Sequence, residues 1–152
     1  MKFCCRTASA RARDGAGFVF VNNFQDHVTM RDLDGVAFEI DTSLGRVRIP
    51  ETGSLTVPAE ACFILPFNQR LADARLIYAT VQPLTRLCGD GLDHYFYFAP
   101  EGLAAEYCFS GDTVRQVAGA VEQSVTGKQL RVRPALGREQ VIELETAGGR
   151  RV

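Results

Sequence analysis

There is no tryptophan in this chain of 152 residues, and histidine and methionine occur only twice each. Two histidines, at 27 and 94, leave no His-x-x-x-His spacing for a metal centre. The five cysteines stand at 4, 5, 62, 88 and 108, an odd number without a Cys-x-x-Cys pair, which excludes a disulfide framework and a zinc ribbon. An excess of either charge is also missing. Seventeen basic residues against eighteen acidic ones leave a net charge of -1, and without a broad basic face nucleic acid is not an expected partner. No run approaches the roughly 20 apolar residues of a membrane helix. The first residues, MKFCCRTASARARDG, hold only Phe3-Cys4-Cys5 as an apolar cluster, too short for a secretory signal. These absences give the expectation of a cytoplasmic protein with no membrane partner, no metal and no cofactor.

What is present is ordinary globular composition, 46% hydrophobic and 23% charged, in a length that buries one core. Short runs rich in Val, Ile, Phe and Tyr recur between Gly, Pro, Asn and Asp, the pattern of an all-β domain. Strands are expected near 16–22, 35–40, 46–49, 53–57, 61–67, 74–82, 93–99, 104–109, 113–118, 120–125, 128–133 and 139–146. The fold class is therefore all-β, an antiparallel, jelly-roll-like β-sandwich of about 10–12 short strands. Residues 113–124 also fit a helical stripe through Val114, Val117, Ala118 and Val121. β-Branched residues and Gly119 argue for two strands with a bend instead. Thr126-Gly127-Lys128 and Ala147-Gly148-Gly149 read as hairpin turns.

In GFVFVNNFQDH, residues 17–27, large apolar groups on both sides of an extended chain suggest a strand buried on both faces, followed by a polar turn. The expected core comprises Phe18, Phe20, Ile64, Phe67, Leu76, Tyr78 and Phe96, with Cys62 and Cys108 as small buried hydrophobes. In HYFYFAP, Tyr95 and Tyr97 share one face and Phe96 and Phe98 the other. The expected reading is a packed strand whose hydroxyls reach the rim; an exposed tyrosine pair stacking on sugar rings is the alternative. His27 beside Asp26, and His94 near Asp93 and Asp90, have the makings of oriented imidazoles, although solvated loop histidines account for both. Gly89-Asp90-Gly91 and Gly15-Ala16-Gly17 are turns and not phosphate loops, since no helix follows either.

The ordered blocks GFVFVNNFQDH, VRIPETGSLTVP, ACFILPFN, RLIYATVQPLTRL and HYFYFAPEGLAAEYCF resemble the all-β region that follows the catalytic barrel in bacterial glycoside hydrolase family 35, the β-galactosidases. The match runs from about Ala12 to the end. The resemblance implies hydrolysis of terminal β-galactosides with retention by the whole enzyme, through two barrel glutamates roughly 5 to 5.5 Å apart. In that clan the acid/base glutamate commonly follows an asparagine, but Asn22, Asn23 and Asn68 precede Asn, Phe and Gln. The pattern lacks the alternating helices and strands of a barrel. No catalytic residue is therefore carried over.

The expected function is a non-catalytic accessory β-sandwich, residues 12–152, that packs against a glycoside hydrolase barrel in the same or a neighbouring chain during β-galactoside degradation. Residues 1–11 fall outside the match and are expected to be disordered. A free-standing carbohydrate-binding module is the alternative, and a fragment of a β-galactosidase the second. Asn22, Asn23, His27, Tyr95 and Tyr97 are the carbohydrate-binding candidates. After REQVIELET the hairpin turn leads only into Arg150-Arg151-Val152, so the domain is expected to be truncated at its C-terminus. An edge left uncovered there would give a homodimer or aggregation, beside an exposed apolar docking face.

Overall fold

The computed structural model describes residues 6–11, 14–89, 91–119, 121–135, 137 and 140–152. They contain fifteen strands: β1 (Arg6–Arg11), β2 (Gly17–Asn22), β3 (Leu33–Val36), β4 (Phe38–Thr42), β5 (Gly45–Ile49), β6 (Leu55–Val57), β7 (Cys62–Leu71) and β8 (Ala74–Ala79) in the first half. The rest are β9 (Gln82–Gly89), β10 (Leu92–Phe98), β11 (Tyr107–Ser110), β12 (Val114–Ala118), β13 (Val121–Thr126), β14 (Gln129–Pro134) and β15 (Glu143–Thr146). The all-β, sandwich-like class is what the alternating runs predict. The 113–124 segment takes the strand alternative, with a bend at Gly119.

One seven-stranded sheet runs in the order β1-β2-β7-β8-β11-β14-β13, with every neighbouring pair antiparallel. Four two-stranded ribbons, β3–β6, β4–β5, β9–β10 and β12–β15, complete the fold. Two apolar clusters hold these pieces together. In the first, Val19, Val21, Phe63, Leu65 and Phe67 of the sheet pack with Ile40, Val47, Ile49 and Val57 from the β4–β5 and β3–β6 ribbons. In the second, Leu76, Phe109 and Val132 pack with Val114 and Leu144 of β12–β15, and Tyr95 and Tyr97 of β10 lie against them. Burying a side chain the size of Phe67 contributes roughly 1.5–3 kcal/mol.

Several expectations change. GFVFV is buried on one face only: Val19 and Val21 point into the first cluster, while Phe18 is half-buried and Phe20 is 40% exposed. The period of two puts all the large rings of β2 opposite its valines. Of the expected core, Phe67, Leu76 and Tyr78 are fully buried, Ile64 is half-buried, and Phe96 is 44% exposed. Cys62 alternates with buried Phe63 and is exposed, whereas Cys108 is buried as expected.

The single strand expected at 35–40 is two, because the chain changes partner at Ala37: β3 pairs with β6, and β4 with β5. The strand expected at 74–82 stops at Ala79. There the Thr80 hydroxyl donates to the Ala104 carbonyl at 2.6 Å and accepts the Glu106 N–H at 2.8 Å, diverting the chain into β9. Residues 6–11, placed outside the domain above, pair along the whole of β2, and residues 1–5 lie outside the described residues. Asp90 and Ala120 do so as well.

The 147–149 turn does form, with Gly149 at φ 80°. Leu144 and Val152 exchange both backbone hydrogen bonds, at 2.8 and 2.9 Å, and Thr146 N–H donates to the Arg150 carbonyl at 2.8 Å. The outer edge of β15, expected to lie uncovered, is therefore paired by residues 150–152. β1 and β13 form the edges of the large sheet.

Candidate functional site

The end of β2 holds three of the sequence candidates, and two of them are engaged in shaping the turn. Asn22 accepts the Phe24 N–H at 2.7 Å through its side-chain oxygen. Asn23 is wholly buried, and its Nδ2 donates to the carbonyls of Arg31 at 3.0 Å and Pro58 at 2.8 Å. Its backbone N–H donates to the Ala61 carbonyl and its own carbonyl accepts from Glu60. It pins three loop segments together and presents nothing to solvent. His27 is exposed, sits at φ 58° and, among the described residues, pairs with neighbouring Asp26 at 3.3 Å.

On β10 the two faces divide as the alternation predicts, and the tyrosines turn inward as the packed-strand reading expects. Tyr97 meets Tyr107 edge-on at 5.4 Å, and burial pushes its phenol well above the usual range. The Tyr95 hydroxyl accepts the Ala72 N–H at 2.8 Å, and Arg86 lies over its ring at 5.2 Å. Among the described residues no hydrogen bond or ring contact joins either tyrosine to the Asn22–His27 turn. The five candidates do not converge.

What does converge is a groove of about 320 Å³ between the large sheet and the β9–β10 ribbon. Its apolar lining comes from Phe18 and Pro66, direct cross-strand partners on β2 and β7, and from Leu84 and Phe96 on the ribbon. Arg70 and Arg86 stand among the same residues. Among the described residues the ribbon is tied to β7 and the turn after it by hydrogen bonds from Ile64 N–H to the Gln82 side-chain oxygen at 2.8 Å and from Ala72 N–H to the Tyr95 hydroxyl. Leu84 is 68% exposed at the groove, and Phe98, on the same face of β10 as Phe96, is 45% exposed.

Within the ribbon, Asp93 of β10 is buried, and its carboxylate receives Arg86 Nη2 at 3.1 Å and Arg150 Nη2 at 3.4 Å. A hydrogen bond from the Cys88 thiol, and then that of Arg86, hold its carboxyl below the usual range; the same bond to Asp93 raises the thiol. The other buried carboxylate, Glu106, is closed in by Tyr78 and by Arg133, whose Nε lies 2.7 Å from Oε2. Both carboxylates act as hubs of packing. No group of three or more His, Cys, Asp or Glu side chains among the described residues is placed to hold a metal. No helix among them is long and apolar enough to cross a membrane.

The residues alone did not single out Leu84 and Arg70, and they placed Phe96 in the core. The signal was available in the alternation of VFV in β2 and FYF in β10, which puts valine and tyrosine on one side and phenylalanine on the other. Choosing the side that faces solvent requires knowing what covers each sheet. No family model matches the chain, and none of the curated proteins matches it.

Proposed function

We propose that this chain is a non-catalytic β-sandwich module that packs against a glycoside hydrolase barrel in the degradation of β-galactosides. The observation that carries the reading is the apolar surface of Phe18, Phe20, Leu84, Phe96 and Phe98, with Phe20, Phe96, Phe98 and Leu84 all at least 40% exposed. Of these, Phe18, Leu84 and Phe96 line one groove, and exposed apolar area of this kind marks an interaction surface in soluble proteins. The resemblance of the ordered sequence blocks to the region following the family 35 barrel supplies the partner. Two buried carboxylates, each occupied by arginine, fit a scaffold better than a hydrolytic pair.

Co-expression with a family 35 catalytic barrel lacking its own β region tests this. The expected result is co-elution and improved hydrolysis of a nitrophenyl β-galactoside, with no turnover by the chain alone. A chain that stays apart from the barrel, or turns over substrate by itself after rigorous purification, overturns it. The half-exposed rings of Phe96 and Phe98 also suit sugar stacking, the carbohydrate-binding alternative. Calorimetry with galactose, lactose and a galactan separates the two.

A further inference from the structure

We infer that the groove between the sheet and the β9–β10 ribbon takes an extended acidic segment of a partner protein, one that inserts an apolar side chain between flanking carboxylates. This rests on the docking reading above and specifies its chemistry. The apolar lining includes Phe18, Pro66, Leu84 and Phe96, and among the described residues the charged lining is Arg70 and Arg86, with no carboxylate beside them. Arg70 is exposed and has no ion-pair partner among the described residues. Arg86 commits Nη2 to Asp93, which Arg150 also contacts while pairing with Asp73, so these four charges balance and Arg70 carries the unpaired positive charge of the groove. The whole chain has a net charge of -1, and the local excess of positive charge is therefore a property of the groove.

Shape points the same way. A volume near 320 Å³ is at the small end of the roughly 300–1,000 Å³ of ligand pockets, enough for one or two side chains. β9 forms a ladder with β10 alone among the described residues, which favours an extended segment over a helix. The Ile64–Gln82 and Ala72–Tyr95 hydrogen bonds fix the walls before anything binds, so little ordering is lost on association.

The test uses a fluorescent peptide, Glu-Asp-Phe-Glu-Leu-Asp, its counterpart with every acid replaced by lysine, and phosphatidylglycerol vesicles. Anisotropy and amide chemical shifts are read on the wild type and on folded Arg70→Glu, Arg70→Lys and Phe96→Ser. The expected result is saturable binding of the acidic peptide alone, weakened by salt, with shifts at Phe18 and Phe96. Arg70→Glu lowers affinity roughly threefold to fivefold while Arg70→Lys retains it, and Phe96→Ser weakens binding without charge change. Equal binding of both peptides, binding of neither, or vesicle binding in place of peptide binding overturns the inference. Co-elution with a barrel that is indifferent to Arg70→Glu also overturns it while leaving the docking reading intact. Peptide binding without barrel association sinks the glycoside hydrolase reading alone.

Discussion

The hydroxyl of Tyr78 donates to Oε1 of Glu106 inside the large sheet, and both side chains are closed to solvent. The same hydroxyl accepts the Glu51 N–H at 2.9 Å, tying β8 to the loop after β5. Tyr78→Phe keeps the ring and removes both hydrogen bonds, leaving a buried carboxylate oxygen short of a donor. Denaturant unfolding is expected to show a loss of about 1 to 3 kcal/mol. A loss much smaller than this means that water enters the network.

Burial, and then the bond to Glu106, hold the Tyr78 phenol far above its ordinary value of 10.0, and burial raises Tyr97 and Tyr107 as well. A group whose folded pKa is raised stabilises fully below its unfolded value, and that contribution is lost as pH rises through the folded value. Cys108, pushed up to about 12 from 9.0 chiefly by burial, acts in the same direction. Stability is therefore expected to fall from about pH 9 to 10 upward. Tyrosinate absorbance from these three rings should appear together with loss of the β signal in circular dichroism. Smooth titration of all the tyrosines in the folded protein contradicts this.

Asp93 has the opposite sign. Its depressed carboxyl stabilises above the ordinary carboxylate value, and that contribution disappears as pH falls through the folded one. The urea midpoint of the wild type should drop on acidification more steeply than that of Asp93→Asn. Parallel curves for the two proteins place the acid sensitivity elsewhere.

Gly119 lies at φ 116°, and a Cβ there would run into the carbonyl oxygen of Val141. Gly119→Ala combines a backbone conformation unfavourable to L-residues with a collision against main chain. A loss of about 1 to 3 kcal/mol is expected. An alanine variant with an unchanged urea midpoint shows that the bend between β12 and β13 relaxes freely.

Phe67 and Phe20 distinguish the two faces of the sheet. Phe67→Ala empties a fully buried site and should cost about 3 to 5 kcal/mol. Phe20, placed in the core by its apolar neighbours, is 40% exposed, so Phe20→Ser should cost no more than about 1 kcal/mol. Comparable losses at both positions remove the basis for an exposed aromatic surface.

The all-β class, the alternation of tyrosine with phenylalanine along β10 and the turns at Gly119, Gly127 and Gly149 are legible in the residues alone. Those follow from local chemistry: side chains alternate along a strand, and glycine alone enters positive φ without strain. Tertiary structure decided which side of each strand is inside. β2 carries valine on one face and phenylalanine on the other, and hydrophobicity ranks the phenylalanine face at least as high. The β3–β6 and β4–β5 ribbons cover the valines, so the rings are left outward. Likewise Asn23 looks like a loop residue free to bind until the carbonyls of Arg31 and of Pro58, the latter 35 residues away, close on its amide. Burial is a relation between segments separated along the chain, and the period of two within one strand carries no information about what lies opposite.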